Sequence, residues 1–295
     1  MSAQIIDGNA IASEIRAELV PRIEALKKRG ARPGLAVILV GERPASVTYV
    51  RLKMKDCAEL GIASETFRFP ATISHDELIA AVQRVNADPA WHGLIVQTPL
   101  PSHIDTEAVL AAVDPAKDVD GLHPLSQGRL LRGLPAFVPA TPAGVQQLLL
   151  RSGHPPDGKH VVICGRSSLV GRPLAALLLQ KRPGANATVT VCHTGTPDMA
   201  EYTRRAGILV AAMGSARSIT AEMVHEGAVV IDVGTNSVPD ASRKSGQRLV
   251  GDVDFDAVRE KAGAITPVPG GVGPVTRAML LVNTLFAAEG GPRQL

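Results

Sequence analysis

Tyr49, Lys53 and Asp56 stand four and three residues apart within Ser46–Cys57, a stretch whose side chains could carry proton transfer. Val47, Val50, Met54 and Cys57 recur there at spacings of three and four, so a helix is expected with these four on its buried face. Ser46, Tyr49, Lys53 and Asp56 then form a polar stripe beside that face. A lysine at the edge of a buried surface, one turn from an aromatic ring, meets the conditions that bring an ammonium pKa toward neutrality. The same pair on an amphipathic helix is usually a solvated, snorkelling pair. Its chemistry therefore depends on what other segments bring to it.

Two loops could contribute. Gln97-Thr98-Pro99-Leu100-Pro101 follows the apolar run Leu94-Ile95-Val96 directly, so its polar residues stand at the carboxyl end of an expected strand, where open α/β sheets bind ligands. It reads equally as a proline-stiffened connection. Lys117-Asp118-Val119-Asp120-Gly121 sets two carboxylates beside a turn glycine. Such carboxylates serve either a turn's own hydrogen bonds or a ligand, and the further acidic positions of a calcium loop are missing.

A second group of residues points to phosphate. Val161-Val162-Ile163-Cys164 is followed by Gly165-Arg166-Ser167-Ser168-Leu169-Val170-Gly171-Arg172-Pro173 and an apolar helix through Leu179. Strand, glycine turn and helix start in that order present backbone N–H groups and positive dipole character to an anion, although the spacing is not the usual G-x-G-x-x-G. NAD sites place a carboxylate on the ribose at the end of the next strand. Here that strand ends Cys192-His193-Thr194, and Arg166 lies in the glycine turn itself, so NADP is expected over NAD. His193 beside Cys192 reads as packing rather than as a metal pair. Finally, Pro267-Val268-Pro269-Gly270-Gly271-Val272-Gly273-Pro274 makes a rigid loop of bare backbone, suited to lie against a flat ligand.

The elements that must position these groups alternate. A helix of about 20 residues starts at Asp7-Gly8-Asn9 and carries Ile11, Ile15, Leu19, Ile23 and Leu26 on one face. A strand at Leu35–Val40, helices over 46–60 and 74–87, a strand at 94–96 and a helix over 104–113 follow. Thr141-Pro142 starts a helix after a Gly/Pro-rich stretch and marks a domain boundary. Strands at Thr188–Cys192, Ile208–Ala212 and Val229–Val233 complete a Rossmann-like alternation. The fold class is therefore α/β in two domains. Residues 1–139 with 274–295 form a catalytic domain, residues 140–273 a Rossmann-like NADP-binding domain, and the C-terminal helix returns to the first.

Composition excludes other classes. The chain has 295 residues, 45% hydrophobic and 20% charged, which is globular usage rather than disorder. A net charge of +3 and 3% aromatic residues argue against a nucleic-acid partner. Three scattered cysteines, Cys57, Cys164 and Cys192, make neither a disulfide framework nor a zinc site, and fit a reducing cytoplasm. No apolar run approaches the roughly 18 residues of a membrane span, so a cytoplasmic protein without metal is expected.

Five stretches in this order resemble the bifunctional methylenetetrahydrofolate dehydrogenase/methenyltetrahydrofolate cyclohydrolase family: Y-V-R-L-K-M-K at 49–55, V-Q-T-P-L-P at 96–101, K-D-V-D-G at 117–121, G-R-S-S-L-V-G-R-P at 165–173 and P-V-P-G-G-V-G-P at 267–274. The resemblance spans about residues 5–287. It implies that Lys53 is the general acid/base of methenyl hydrolysis, lying near Tyr49 and Gln97 in the cleft between domains. It further implies that Tyr49 stacks on the folate, Gln97 positions the lysine and Asp120 grips the pterin, with Pro269, Gly270 and Gly271 at the substrate. Gly165, Arg166, Ser167, Thr194 and Thr235 would hold NADP, and the partners would be tetrahydrofolate one-carbon derivatives and a second copy in a homodimer. Ala140 stands where many members have cysteine, Thr194 and Thr235 replace common serine and isoleucine, and Met213-Gly214-Ser215-Ala216 varies a usual V-G-x-P turn. Two rivals are a dehydrogenase with little cyclohydrolase activity and a non-catalytic NADP-binding regulator on the same scaffold.

Overall fold

The computed structural model describes residues 2–243 and 246–293. Its elements run β1 (Gln4–Ile5), α1 (Gly8–Lys28), β2 (Gly34–Val40), α2 (Pro44–Leu60), β3 (Ala63–Phe69), α3 (His75–Ala87), β4 (Gly93–Val96), α4 (Thr106–Ala111), α5 (Pro124–Leu131) and α6 (Ala140–Arg151). Then come β5 (His160–Cys164), α7 (Gly171–Leu178), β6 (Thr188–Cys192), α8 (Met199–Thr203), β7 (Ile208–Ala211), β8 (Val229–Asp232), β9 (Asn236–Pro239), β10 (Gln247–Val250), α9 (Phe255–Arg259), β11 (Ala264–Ile265) and α10 (Val272–Ala288).

The chain divides into two compact units, residues 14–140 with 277–293, and residues 2–13 with 141–276. The expected division put 1–13 with the first domain, but β1 pairs in parallel with β11 through Gln4↔Ala264 and Ile5↔Ile265 and so joins the other unit. A two-residue strand carries no readable pattern; only its pairing reveals it.

The first unit is built on a parallel sheet ordered β3-β2-β4 among the described residues. Its middle strand β2 is buried along its whole length, because neighbours and helices cover both faces of the run Leu35–Val40. Strand β3 escapes the apolar-run reading: it is an edge strand that starts with polar Ser64, Glu65 and Thr66 and has Arg68 between its two phenylalanines, Phe67 and Phe69. α3 starts on a capping box in which Ser74 and Glu77 satisfy each other's backbone N–H groups. α10 packs into this unit from Arg277 onward. Its buried Asn283 donates to the carbonyls of Val119 (2.8 Å) and Val138 (2.9 Å). Leaving such buried carbonyls unmet costs about 1–3 kcal/mol each, so one asparagine in an apolar helix fixes the loop on which Asp120 sits.

The second unit carries, among the described residues, a six-stranded parallel sheet ordered β1-β11-β8-β7-β5-β6, with β9 and β10 as a separate antiparallel hairpin. The β7-β5-β6 order brings the carboxyl ends of β5 and β6 side by side, with Cys164 opposite Cys192. Two expected site segments, the glycine turn and His193-Thr194, therefore leave the sheet at adjacent points.

Candidate active site

In the first unit α2 begins with Pro44 in its first turn and ends at Gly61 in the left-handed region (φ 70°), where the glycine N–H closes onto Ala58. Its buried residues are Ser46, Val50, Asp56 and Cys57, whereas Val47 and Met54 are half-buried. The expected polar stripe is thus turned inward at both ends. Asp56 is buried because Arg277 of α10 meets it, Nε donating to Oδ2 at 2.6 Å. A carboxylate and a guanidinium brought in from distant sequence can share a site that neither enters alone.

Lys53 lies half-buried between these ends, and its Nζ donates to Gln97 Oε1 at 3.1 Å. Gln97 is fixed in turn: its backbone N–H donates to Ile38 O (2.9 Å) and its Nε2 to Thr98 O (2.9 Å), so its carbonyl oxygen must face the lysine. Desolvation lowers the Lys53 pKa, while the charge of Asp120 and, more weakly, Cys57 push it back up. Burial raises the Cys57 thiol to about 12, so it is uncharged near neutrality and Asp120 is the counter-charge that matters. Tyr49, one turn before Lys53, is 39% exposed, which leaves its ring face open to a ligand.

The D-V-D-G loop holds its two carboxylates differently. Asp118 is buried and serves the turn: Oδ1 accepts from Leu122 N–H (3.0 Å) and Oδ2 from His123 N–H (2.9 Å). Burial pushes Asp118 up to about 7 against those hydrogen bonds. Gly121 is needed at φ +68°, where a Cβ would lie 2.6 Å from Pro139 N. Asp120 is half-buried and has no hydrogen bond or ion pair among the described residues, so its carboxylate is available. Lys53, Gln97 and Asp120 are therefore brought together in one unit, with Tyr49 on the same helix.

The other expected residues belong to the second unit. Gly165 has φ +132° and its N–H donates to Cys192 O at 2.8 Å; a Cβ there would collide with the carbonyl of Ala212. Gly171, at the start of α7, is likewise packed on Gly165 O. Arg166, Ser167, Thr194 and Thr235 are exposed around this sheet edge, and Ser167 Oγ accepts from Val170 N–H at 3.1 Å, shaping the turn. His193 Nδ1 accepts from Gly195 N–H (3.0 Å), so this histidine shapes the Thr194 loop. Gly270 (φ +105°) and Gly271 follow Pro269, and a Cβ on Gly8 would strike Gly271 O, so that loop's backbone lies directly against the start of α1. Arg277 and Asn283 carry no local signal beyond their polarity in the largely apolar helix α10.

The family pattern "Tetrahydrofolate dehydrogenase/cyclohydrolase, catalytic domain" matches residues 6–120, and its "NAD(P)-binding domain" matches residues 139–291. The chain belongs to the tetrahydrofolate dehydrogenase/cyclohydrolase family. It is 56% identical over 289 residues to the "Bifunctional protein FolD" of Syntrophus aciditrophicus, covering 98% of each chain. It is 55% identical over 291 residues to that of Dehalococcoides mccartyi, again covering 98% of each. Among solved structures it is similar to the Trypanosoma brucei N5,N10-methylenetetrahydrofolate dehydrogenase-cyclohydrolase complexed with NADP cofactor and inhibitor (45% identity, TM-score 0.93, 98% of each chain). It is also similar to the bifunctional dehydrogenase/cyclohydrolase of Campylobacter jejuni (45%, TM-score 0.92, 98% of this chain and 99% of that one). Both domains of the family are thus matched, in agreement with the two-domain α/β plan.

Proposed function

We propose that the chain oxidises 5,10-methylenetetrahydrofolate to 5,10-methenyltetrahydrofolate with NADP and hydrolyses the product to 10-formyltetrahydrofolate. The observation that carries the hydrolytic half is the Lys53–Gln97 hydrogen bond, with the free carboxylate of Asp120 nearby in charge range. In its neutral form the Lys53 amine takes a proton from water as the water oxygen attacks the methenyl carbon. The resulting ammonium gives that proton to N5 as the carbon–N5 bond breaks, and the hydroxyl left on the attacked carbon loses its remaining proton to solvent water, leaving the formyl group on N10. Gln97 aims the amine, Asp120 accepts from the pterin N–H donors, and Tyr49 offers its ring face to the folate. Pro269, Gly270 and Gly271 supply bare backbone for the substrate.

The residues of the second unit fit a dinucleotide phosphate. Gly165 permits close approach of backbone, and Arg166, Ser167, Thr194 and Thr235 are exposed at the same sheet edge without a carboxylate among them. Bound NADP supplies the hydride acceptor; the protein's part is placement. Gly165→Ala should weaken NADP binding by about tenfold or more, since a strained turn costs roughly 1–3 kcal/mol, as calorimetric titration would read. Unchanged affinity would remove the glycine turn from the site.

Asp120→Asn tests the lysine's electrostatics. With the Asp120 charge gone, desolvation acts on Lys53 with less opposition, and its pKa falls further. The neutral amine then persists to lower pH, so the acid limb of the cyclohydrolase profile should move down in pH while the KM for methenyltetrahydrofolate rises. A limb that moves up would contradict the assignment. The whole reading is tested by NADP reduction with methylenetetrahydrofolate, repeated with NAD, while methenyl absorbance is followed. Accumulation without decay would favour the dehydrogenase-only rival, and no reduction the regulator. A cytoplasmic homodimer engaging neither nucleic acid nor membrane completes the proposal; no helix among the described residues is long and apolar enough to cross a membrane.

A further inference from the structure

Two carboxylates in the second unit belong to no step of the mechanism. Asp232 ends β8 and Asp252 follows β10, and they are 3% and 0% exposed. Asp232 Oδ1 accepts from the N–H groups of Gly234 and Asp252, each at 2.9 Å, and its Oδ2 from Val253 N–H at 3.0 Å. Asp252 Oδ2 accepts from Met213 N–H (2.6 Å) and Gly214 N–H (2.9 Å), and its Oδ1 from Ser215 N–H (2.9 Å) and Asn236 Nδ2 (2.8 Å). One carboxylate grips the backbone that carries the other, and the second grips the loop after β7 together with the residue beyond Thr235.

Thr235 is thus pinned on both sides, through Gly234 to Asp232 and through Asn236 to Asp252. Packing leaves no slack in this arrangement. A Cβ on Gly251 would fall on Asp232, and one on Gly234 would fall on Asp252. Two adjacent buried carboxylates are expensive: burial pushes Asp232 up to about 6, and the charge of Asp252 pushes it the same way. An apolar filling of the same space would avoid that cost but could not accept seven hydrogen bonds from three loops at a ligand-binding sheet edge.

We propose that Asp252, held in place by Asp232, is a positioning residue for NADP, locking the 213–215 loop and Thr235 in the arrangement that receives the cofactor. The inference rests on the reading of Thr235 and Arg166 as cofactor contacts. It also gives a role to the Met213-Gly214-Ser215-Ala216 turn: that turn's three consecutive N–H groups face the Asp252 carboxylate. Asp252 itself would touch no reacting atom.

The test compares Asp252→Asn, Asn236→Ala and Arg166→Ala with wild type, measuring NADP dissociation constants by calorimetry. Dehydrogenase kcat at saturating NADP and hydrolysis of added methenyltetrahydrofolate are measured alongside. Asp252→Asn turns an all-acceptor group into one that points a donor at backbone N–H groups, and should raise the NADP dissociation constant by about tenfold or more. Hydrolysis and saturated kcat should stay near wild type. Asn236→Ala removes one hydrogen bond and should give a smaller rise in the same direction, about threefold. This milder variant decides the matter if Asp252→Asn fails to fold. If Arg166→Ala weakens NADP binding while Asn236→Ala and any folded Asp252→Asn do not, the positioning role is overturned and the cofactor site stands. If Arg166→Ala also leaves binding unchanged, the cofactor reading falls and the proposal with it.

Discussion

Lys53→Met should reduce methenyltetrahydrofolate hydrolysis by about 10²–10⁴-fold, the usual worth of a positioned general acid/base, while NADP reduction with methylenetetrahydrofolate continues. Methionine keeps the length and apolar stem of the side chain and removes only the proton-carrying group, so the fold has little reason to change. Gln97 Oε1 loses its donor, but Gln97 remains held by Ile38 O and Thr98 O, so the loop should not collapse. The visible result would be methenyl absorbance that rises with NADPH and does not decay. A Lys53→Met enzyme with wild-type hydrolysis would sink the assignment of the lysine, whatever became of the dehydrogenase.

Arg277→Met carries the second large effect, on stability. Asp56 and Arg277 side chains are 8% and 21% exposed, and their contact is 2.6 Å. Removing the guanidinium leaves a buried carboxylate uncompensated, which costs about 3–5 kcal/mol. Asp56 lies one turn beyond Lys53 on α2, so loss of folate-site order and loss of cyclohydrolase activity should accompany a lower denaturation midpoint. The double variant Asp56→Asn/Arg277→Met should recover much of the stability, because no unpaired charge then remains. If Arg277→Met alone left the midpoint unchanged, the pair would be a surface contact of little consequence.

These two residues show what could and could not be read along the chain. Lys53 and Tyr49 were legible because helical period places them from their spacing alone, and Leu35–Val40 because an uninterrupted apolar run must be covered on both faces. The polar stripe on α2 was legible as polar but not as buried: Asp56 enters the interior only because Arg277, 221 positions away, comes with it. Nothing local to α2 reports that partner.

The same limit governs the loops. In D-V-D-G the sequence offers two equivalent carboxylates; only the fold, by presenting Leu122 and His123 N–H groups to Asp118, spends the first on the turn and leaves Asp120 free. β3 was hidden because an edge strand answers to solvent on one side and loses the apolar signature, and β1 because two residues have no period. Asp232 and Asp252 carry no local signal of their role, because their seven hydrogen-bond donors come from three separate segments. Side-chain type and local period are enough to establish which chemical groups this protein carries and how its strands and helices alternate. Which charges are buried and which are free depends on the folded chain, since burial and pairing are set by segments far apart in sequence.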